Sequence, residues 1–259
     1  MTEVGAVLAI ASRDVLKLFR DRTRLVFTIV FPFIFIGLMG GTLQGNLGRA
    51  AGFNFVDFIF TGVLGMTLFQ TAAQGLISLI QDRETDFSQE MFVSPISRYS
   101  IVFGKIAGET TVSFVQAIPT IGLALALRVP LSPLQVLLLL PASVGACLLG
   151  AAFGVAAMSL LNNQRAAQQI FPFLVFPQFF LAGIFNPIKV LPWYLAPFSL
   201  ISPLRYAVDL LRGVAFSGRP EYDKVVLFNP LTNLVVMSAM FAAFLVLGTA
   251  LFVRQETNR

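Results

Sequence analysis

Residues 134–161 read LQVLLLLPASVGACLLGAAFGVAAMSLL, without a formal charge anywhere in the run. A helix needs about 20 mainly apolar residues, at about 1.5 Å rise each, to cross a bilayer. This run is long enough, and it is apolar on every side, so it has no face to offer to water. Outward along the chain the pattern repeats. Residues 25–43, 56–80, 106–127, 170–185 and 231–253 are each long enough, or nearly so, to cross as well. Within all six windows the only full charges are Asp57, at the mouth of the second, and Glu109, one turn into the third. The fold class expected is an all-α integral membrane protein with six transmembrane helices.

Composition agrees. Apolar residues make up 56% of the chain and charged ones 12%, against a usual charged share of about 25%. The polar remainder is too small for a separate enzymatic domain. The lone Cys147 lies within 134–161, so no intrachain disulfide can form. A net charge of +5 reads as orientation signal near spans rather than as a nucleic-acid footprint.

Residues 1–24 lack the basic start and uninterrupted apolar core of a cleaved signal peptide, and none is expected. Val4, Leu8, Ala11, Val15 and Leu18 recur at helical spacing, with Arg13, Lys17, Arg20 and Arg24 on the other side. That pattern predicts an amphipathic helix lying in the membrane surface and leading into the first span. Six spans put both termini on one side. Eleven basic residues fall on the terminus side against seven opposite, where the short loops hold only Arg49 and Arg128. The positive-inside rule then makes both termini cytoplasmic, with 254–259 as a cytoplasmic tail.

Two connections stand out. The loop 81–105 is dense in charge and carries Met91, Phe92 and Val93 in its middle, followed by Pro95. A short helix with an apolar contact face, stopped before Pro95, fits that composition. It would dock onto a partner or pack on its own bundle. The second connection, 186–230, is longer than ordinary loops and too apolar to be floppy. Pro187, Pro192, Pro197 and Pro203 cut it into pieces shorter than a span. Two re-entrant or interfacial helices are expected, near 191–200 and 204–214, with Trp193 and Tyr194 at headgroup level. An extracytoplasmic cap is the alternative.

Catalytic chemistry is sparse. The chain has no histidine, which excludes His-Glu zinc motifs and histidine-activated serine or cysteine nucleophiles. The acids cluster after the second span rather than at membrane depth. An ion-coupled carrier usually needs ionisable residues inside the bundle. Only Glu109 qualifies, and its place four residues after Lys105 suits an i, i+4 pair. Gly104-Lys105 is followed by Ile106 and lacks the earlier glycine of a P-loop. A nucleotide engine, if there is one, must be a separate polypeptide.

Residues 171–213, FPFLVFPQFFLAGIFNPIKVLPWYLAPFSLISPLRYAVDLLRG, resemble the permease subunits of the ABC type-2 transporter family. Its exporters include daunorubicin-resistance and nodulation-factor permeases. The match rests on an aromatic-rich fifth span, then Pro187, Pro192, Tyr194, Leu195, Ser202, Pro203, Leu204, Arg212 and Gly213. Trp193-Tyr194-Leu195 departs slightly from the usual Trp-Leu step. A second match joins Arg83-Glu84 to Ser94-Pro95-Ile96-Ser97-Arg98 and Gly104-Lys105.

The resemblance implies the type V ABC exporter fold, with 1–24 as interface helix and 25–253 as transmembrane domain. It makes the loop a coupling helix resting on a separate ATPase through Asp82, Arg83, Glu84, Glu90, Met91, Phe92, Ser94, Pro95 and Arg98. Pro187, Pro192, Trp193, Tyr194, Pro203 and Arg212 would form a re-entrant gate. Two ATPases, which bind the ATP and Mg, and two permease copies, identical or paralogous, complete the exporter. This chain itself would hold no cofactor, metal or nucleic acid, and would sit in the cytoplasmic (inner) cell membrane.

Each copy is then half a channel. Gly37/Gly41 and Ala146/Gly150/Gly154 offer small-residue faces for close packing, between copies or within one. Phe171, Phe173, Phe176, Phe179 and Phe180 would line a greasy path, or face lipid and neighbouring helices. The expected cargo is an amphiphilic, drug-like or lipid-linked molecule. A polysaccharide or lipid-oligosaccharide exporter is the alternative, and an ion-coupled carrier the alternative of another class.

Overall fold

A computed structural model of the chain describes residues 3–84, 98–161 and 163–257, and every regular element among them is helical. Helix α1 (Glu3–Arg20) leads into a long helix in three parts: α2 (Arg22–Ile34), a π-helical turn (Phe35–Gly40) and α3 (Gly41–Ala51). Pro32 removes one rung from this ladder, and the helix then widens. At Gly40 an added Cβ would stand 3.2 Å from Val56 Cα, so the small residue lets the next helix start close by.

Helix α4 (Phe55–Gly75) begins at Asn54, whose side chain accepts from the Val56 N–H at 2.8 Å. It gives way at Leu76 to α5 (Ile77–Glu84). The third apolar run forms α6 (Arg98–Val115) and α7 (Ala117–Ala126). The break falls at Gln116 because the Pro119 ring would meet the Val115 carbonyl of a continuous helix. Helix α8 (Pro133–Met158) opens with a reciprocal cap between Ser132 and Gln135. Helix α9 (Gln164–Leu181) follows, then a 3₁₀ turn (Ile188–Val190), α10 (Ala196–Ile201), α11 (Pro203–Ala215), α12 (Tyr222–Val225) and α13 (Pro230–Thr257).

The core forms where α4, α8, α11 and α13 meet. A Cβ at Gly154 of α8 would come within 2.6 Å of the Ala73 oxygen on α4, and one at Gly150 would strike the Phe69 carbonyl. On the other side of α8, a Cβ at Gly248 of α13 would stand 2.7 Å from the Ala156 nitrogen. Small residues thus let three helices approach backbone to backbone. The face Ala146/Gly150/Gly154 is used for packing within the chain, whereas Gly37 and Gly41 look into open space.

Successive long apolar stretches alternate in direction along the chain. Phe69 and Ala73 match Gly150 and Gly154, while Gly145 and Ala156 match Met237 and Gly248, so α4, α8 and α13 run one way. Glu109 lies beside Gly75 and Gln116 beside Thr71, so α6 and α7 run the other way. Helix α9 does too, since Ile184 beyond its end meets Gly62 near the start of α4.

Four helical stretches among the described residues are long and apolar enough to cross a membrane: Leu25–Gly48, Phe55–Ile80, Pro133–Met158 and Tyr222–Leu251. The expected crossings at 106–127 and 170–185 are not among them. One is broken at Gln116, and the other starts on a polar turn, Gln164-Arg165, and stops at Leu181.

Two local expectations change. Of the helix expected at 191–200, only Ala196–Ile201 forms, because Pro197 fits the first turn of a helix while Pro192 opens a turn closed by the Leu195 N–H. The second, expected at 204–214, forms as Pro203–Ala215. Helix α1 forms, but its buried face holds Ala6, Asp14 and Leu18, while Val4 and Leu8 are exposed. Gly104 and Gly108 of α6 admit it: added Cβ atoms there would meet Val7 and Ile10, and Ala11 and Asp14, at 3.0–3.2 Å. Helix α1 therefore runs along α6, and its exposed apolar side is the one left for other partners.

Candidate functional site

At one end of the bundle α1 and α6 share a buried ionic seam. Lys105, 1% exposed, donates to Asp14 Oδ2 at 2.8 Å and lies 3.7 Å from Glu109 Oε1. The i, i+4 pair of Lys105 and Glu109 is present, but the shorter contact crosses to α1. Arg13 adds a contact to Asp14 at 3.4 Å, and Ser100 donates to Glu3 further along the seam. Gly75 on α4 is a glycine for a visible reason, since a Cβ there would occupy the space of the Glu109 carboxylate. Asp14 escapes a sequence reading because it sits one step off the basic face.

Of the residues expected to couple to an ATPase, Asp82, Arg83 and Glu84 close α5 and Arg98 opens α6. Glu90, Met91, Phe92, Ser94 and Pro95 lie outside the described residues. Helices α5 and α6 bring both ends of that segment to the seam's end of the bundle.

The opposite end is tied together by charged and amide side chains. Arg219, past α11, donates to Asp57 Oδ2 of α4 at 2.8 Å and also to the Pro130 carbonyl before α8. Gln135 of α8 donates to the Ala215 and Ser217 carbonyls at 3.2 and 2.9 Å. Lys224 reaches the Gly52 carbonyl at 3.2 Å. Connections far apart in sequence thus form one stapled cap.

Beneath that cap α11 carries three buried charges at helical spacing, Arg205, Asp209 and Arg212. Arg212 is enclosed: Nε donates to Thr61 Oγ1 at 3.2 Å, Nη2 donates to the Gly183 carbonyl at 3.1 Å, and the guanidinium lies 3.8 Å over the Phe58 ring. Asp209 accepts from the Leu227 and Phe228 N–H groups at 2.9 Å each and from Asn233 Nδ2 at 2.8 Å, which fixes the approach to α13. Arg205 donates to Ser199 Oγ at 2.8 Å, and that hydroxyl donates to the Leu181 carbonyl at 2.7 Å. The family pattern singles out Arg212. It does not single out Arg205 or Asp209, although their i, i+4, i+7 spacing with Arg212 in an apolar segment is a readable signal.

The other candidate gate residues lie further out. Pro203 is buried at the first turn of α11, and Pro187 precedes the 3₁₀ turn. Trp193 is 87% exposed, with Tyr194 and Pro192 exposed beside it. Among the candidate path residues, Phe171 points into the core, whereas Phe173, Phe176 and Phe180 form an exposed strip with Phe179 half-buried behind it. Phe176 and Phe180 lie 5.5 Å apart, Phe180 and Phe185 6.0 Å, Phe185 and Phe35 6.3 Å, and Phe35 and Phe31 4.5 Å. The strip therefore climbs from α9 onto α2.

Phe31 also borders a cavity of about 620 Å³ between α2, α4, α9 and the α6–α7 junction, with α1 at its edge. Its polar wall holds Gln70, Thr71 and Gln74 of α4, Gln116, and Gln164 and Gln168 of α9. Gln70 and Gln74, one turn apart in an otherwise apolar run, are the sequence sign of this cavity; their convergence with Gln116, Gln164 and Gln168 is not visible in the chain. Among the described residues no cluster of metal-ligating side chains occurs.

Comparison with known proteins fits this architecture. A family profile described as ABC-2 type transporter matches residues 5–216. A transport permease named ycf38 from Cyanophora paradoxa is 24% identical over 213 residues, covering 81% of this chain and 73% of the relative. The Porphyra purpurea ycf38 permease is 25% identical over 217 residues with the same coverage. A multidrug ABC transporter permease of Escherichia coli, YbhR, is 25% identical over 166 residues, covering 63% of this chain and 44% of the relative. A bundle of apolar helices, with conspicuous buried charge at its two ends and the family match over most of its length, places this chain in the ABC-2 type transporter family, among its membrane permeases.

Proposed function

We propose that the chain is the membrane half of an ATP-driven exporter that moves an amphiphilic, drug-like or lipid-linked cargo out of the cytoplasm. In this reading it crosses the cytoplasmic membrane six times with both termini inside, and residues 186–230 form the extracytoplasmic gate. Two copies associate with two separate ATPase subunits, which bind ATP and Mg. The observation that carries it is the ionic seam. Helix α6 leaves the coupling segment 81–105 and is locked to α1 by Lys105 and Asp14, so a push on that segment moves α1, and with it α2, as one piece. Transmission of this kind needs an element with two discrete packings. The alternating helix directions support six crossings, and the exposed Phe173–Phe176–Phe180 strip suits apolar cargo.

Two variants test the parts. Glu84→Lys or Glu90→Lys reverses charge on the coupling segment. Either should lower cargo-linked ATPase stimulation about fivefold or more, while membrane insertion survives; unchanged stimulation in both removes the coupling role. Phe176→Ala and Phe179→Ala should each change the relative efflux of a panel of amphiphiles. Identical profiles would assign these rings to packing alone.

A further inference from the structure

The cavity bordered by Phe31 has chemistry unlike the aromatic strip and calls for a different part of the cargo, an inference that rests on the exporter reading. Polar side chains inside a membrane bundle are costly and gather along substrate pathways. Here two helices and a helix break contribute amides to one space: Gln70 and Gln74 from α4, Gln164 and Gln168 from α9, and Gln116 from the break, where the Thr71 hydroxyl donates to its Oε1 at 3.1 Å. Each amide carries two N–H donors and a carbonyl acceptor. Such a wall matches hydroxyl or amide groups, which also donate and accept.

It is not set for a charged group. The acids at its edge, Asp14 and Glu109, both reach Lys105 Nζ, at 2.8 and 3.7 Å, and Lys17 adds a second base. At about 620 Å³ the space lies within the range of small-molecule sites, about 300–1,000 Å³, and suits a compact head rather than a long polymer. Phe31 belongs both to the cavity wall and to the aromatic ladder that continues through Phe35, Phe185, Phe180 and Phe176. Polar chamber and apolar strip are therefore contiguous. We propose that the amide-lined cavity holds the uncharged, hydroxyl-rich head of an amphiphilic cargo, whose hydrocarbon tail runs along the phenylalanine strip.

The test uses the full chain in lipid nanodiscs, without nucleotide or ATPase, and three radiolabelled probes that share a dodecyl tail: the maltoside, the trimethylammonium salt and the sulfate. The maltoside should bind saturably, and the two charged probes should only partition into the lipid. Gln74→Met with Gln168→Met should weaken maltoside binding about tenfold or more, since lost hydrogen-bond partners act on this scale. Leu137→Ala, on the outer face of α8, should leave it unchanged. Gln70→Met alone should weaken binding in the same direction and carries the test if the paired variant does not fold. Equal binding of all three probes, preference for either charged probe, or maltoside binding unmoved by the glutamine variants would overturn the proposal. Because no ATP is present, failure here leaves the exporter reading intact, and failure of ATP-driven transport leaves a positive binding result intact.

Discussion

Asp209→Ala should be among the most damaging single changes in the chain. The carboxylate is 1% exposed and accepts from two backbone N–H groups and the Asn233 amide. Alanine leaves those donors without their acceptor in a region with little water, and it leaves Arg205 and Arg212 on the same helix without their nearby negative charge. An orphaned buried donor costs about 1–3 kcal/mol, and an uncompensated buried charge more. A total loss of about 3–5 kcal/mol is expected, read as a large fall in the unfolding midpoint in detergent. Asp209→Asn should lie between, because it keeps one acceptor oxygen but turns an N–H₂ group toward a donor. Asp223→Asn is the control: Asp223 is exposed, and its replacement should change stability by less than about 0.5 kcal/mol.

Lys105→Met should produce the second large effect, and a more local one. Methionine fills much of the lysine volume but removes the ammonium that lies within 4 Å of both Asp14 and Glu109. The two buried acids then lose the charge they share, and breaking a buried pair in this way costs about 3–5 kcal/mol. The loss should fall on the contact between α1 and α6. Amide exchange across Glu3–Arg20 should rise by about tenfold or more, while α8 and α13 keep their protection. Pairing Lys105→Met with Asp14→Asn separates seam from fold: the double variant should be less impaired than the sum of the singles. Strict additivity would deny the two residues a shared interaction. If the seam also transmits the ATPase stroke, Lys105→Met should uncouple ATP hydrolysis from transport even where the protein remains inserted.

Much of this architecture is legible in the chain because membrane helices announce themselves by length and uniform apolarity. Residues 134–161 and 231–253 need no tertiary information to be read as spans, and α8 and α13 occupy nearly those bounds. Breaks inside apolar runs are less visible. Pro119 accounts for the division of α6 from α7, yet Pro141 lies within the unbroken α8, so proline alone does not decide. The face by which α1 packs is hidden for another reason: Gly104 and Gly108, ninety residues away, determine which of its sides can come close. Buried charge is hardest. Asp57 and Asp209 stand out in apolar runs, but nothing in the chain names the partners that reach them and Asp14: Arg219, the Leu227 and Phe228 N–H groups, and Lys105. The glutamine cavity follows the same rule, since each amide is unremarkable alone and only the convergence of helices gives them a common function.

The most direct test of the account is transport by the purified chain reconstituted in vesicles, with and without its ATPase subunits, while ion gradients are imposed or collapsed. The account predicts cargo movement only when both subunits are present and ATP is hydrolysed, unchanged when proton and sodium gradients are dissipated. Cargo movement by this chain alone, driven by an ion gradient, would contradict it.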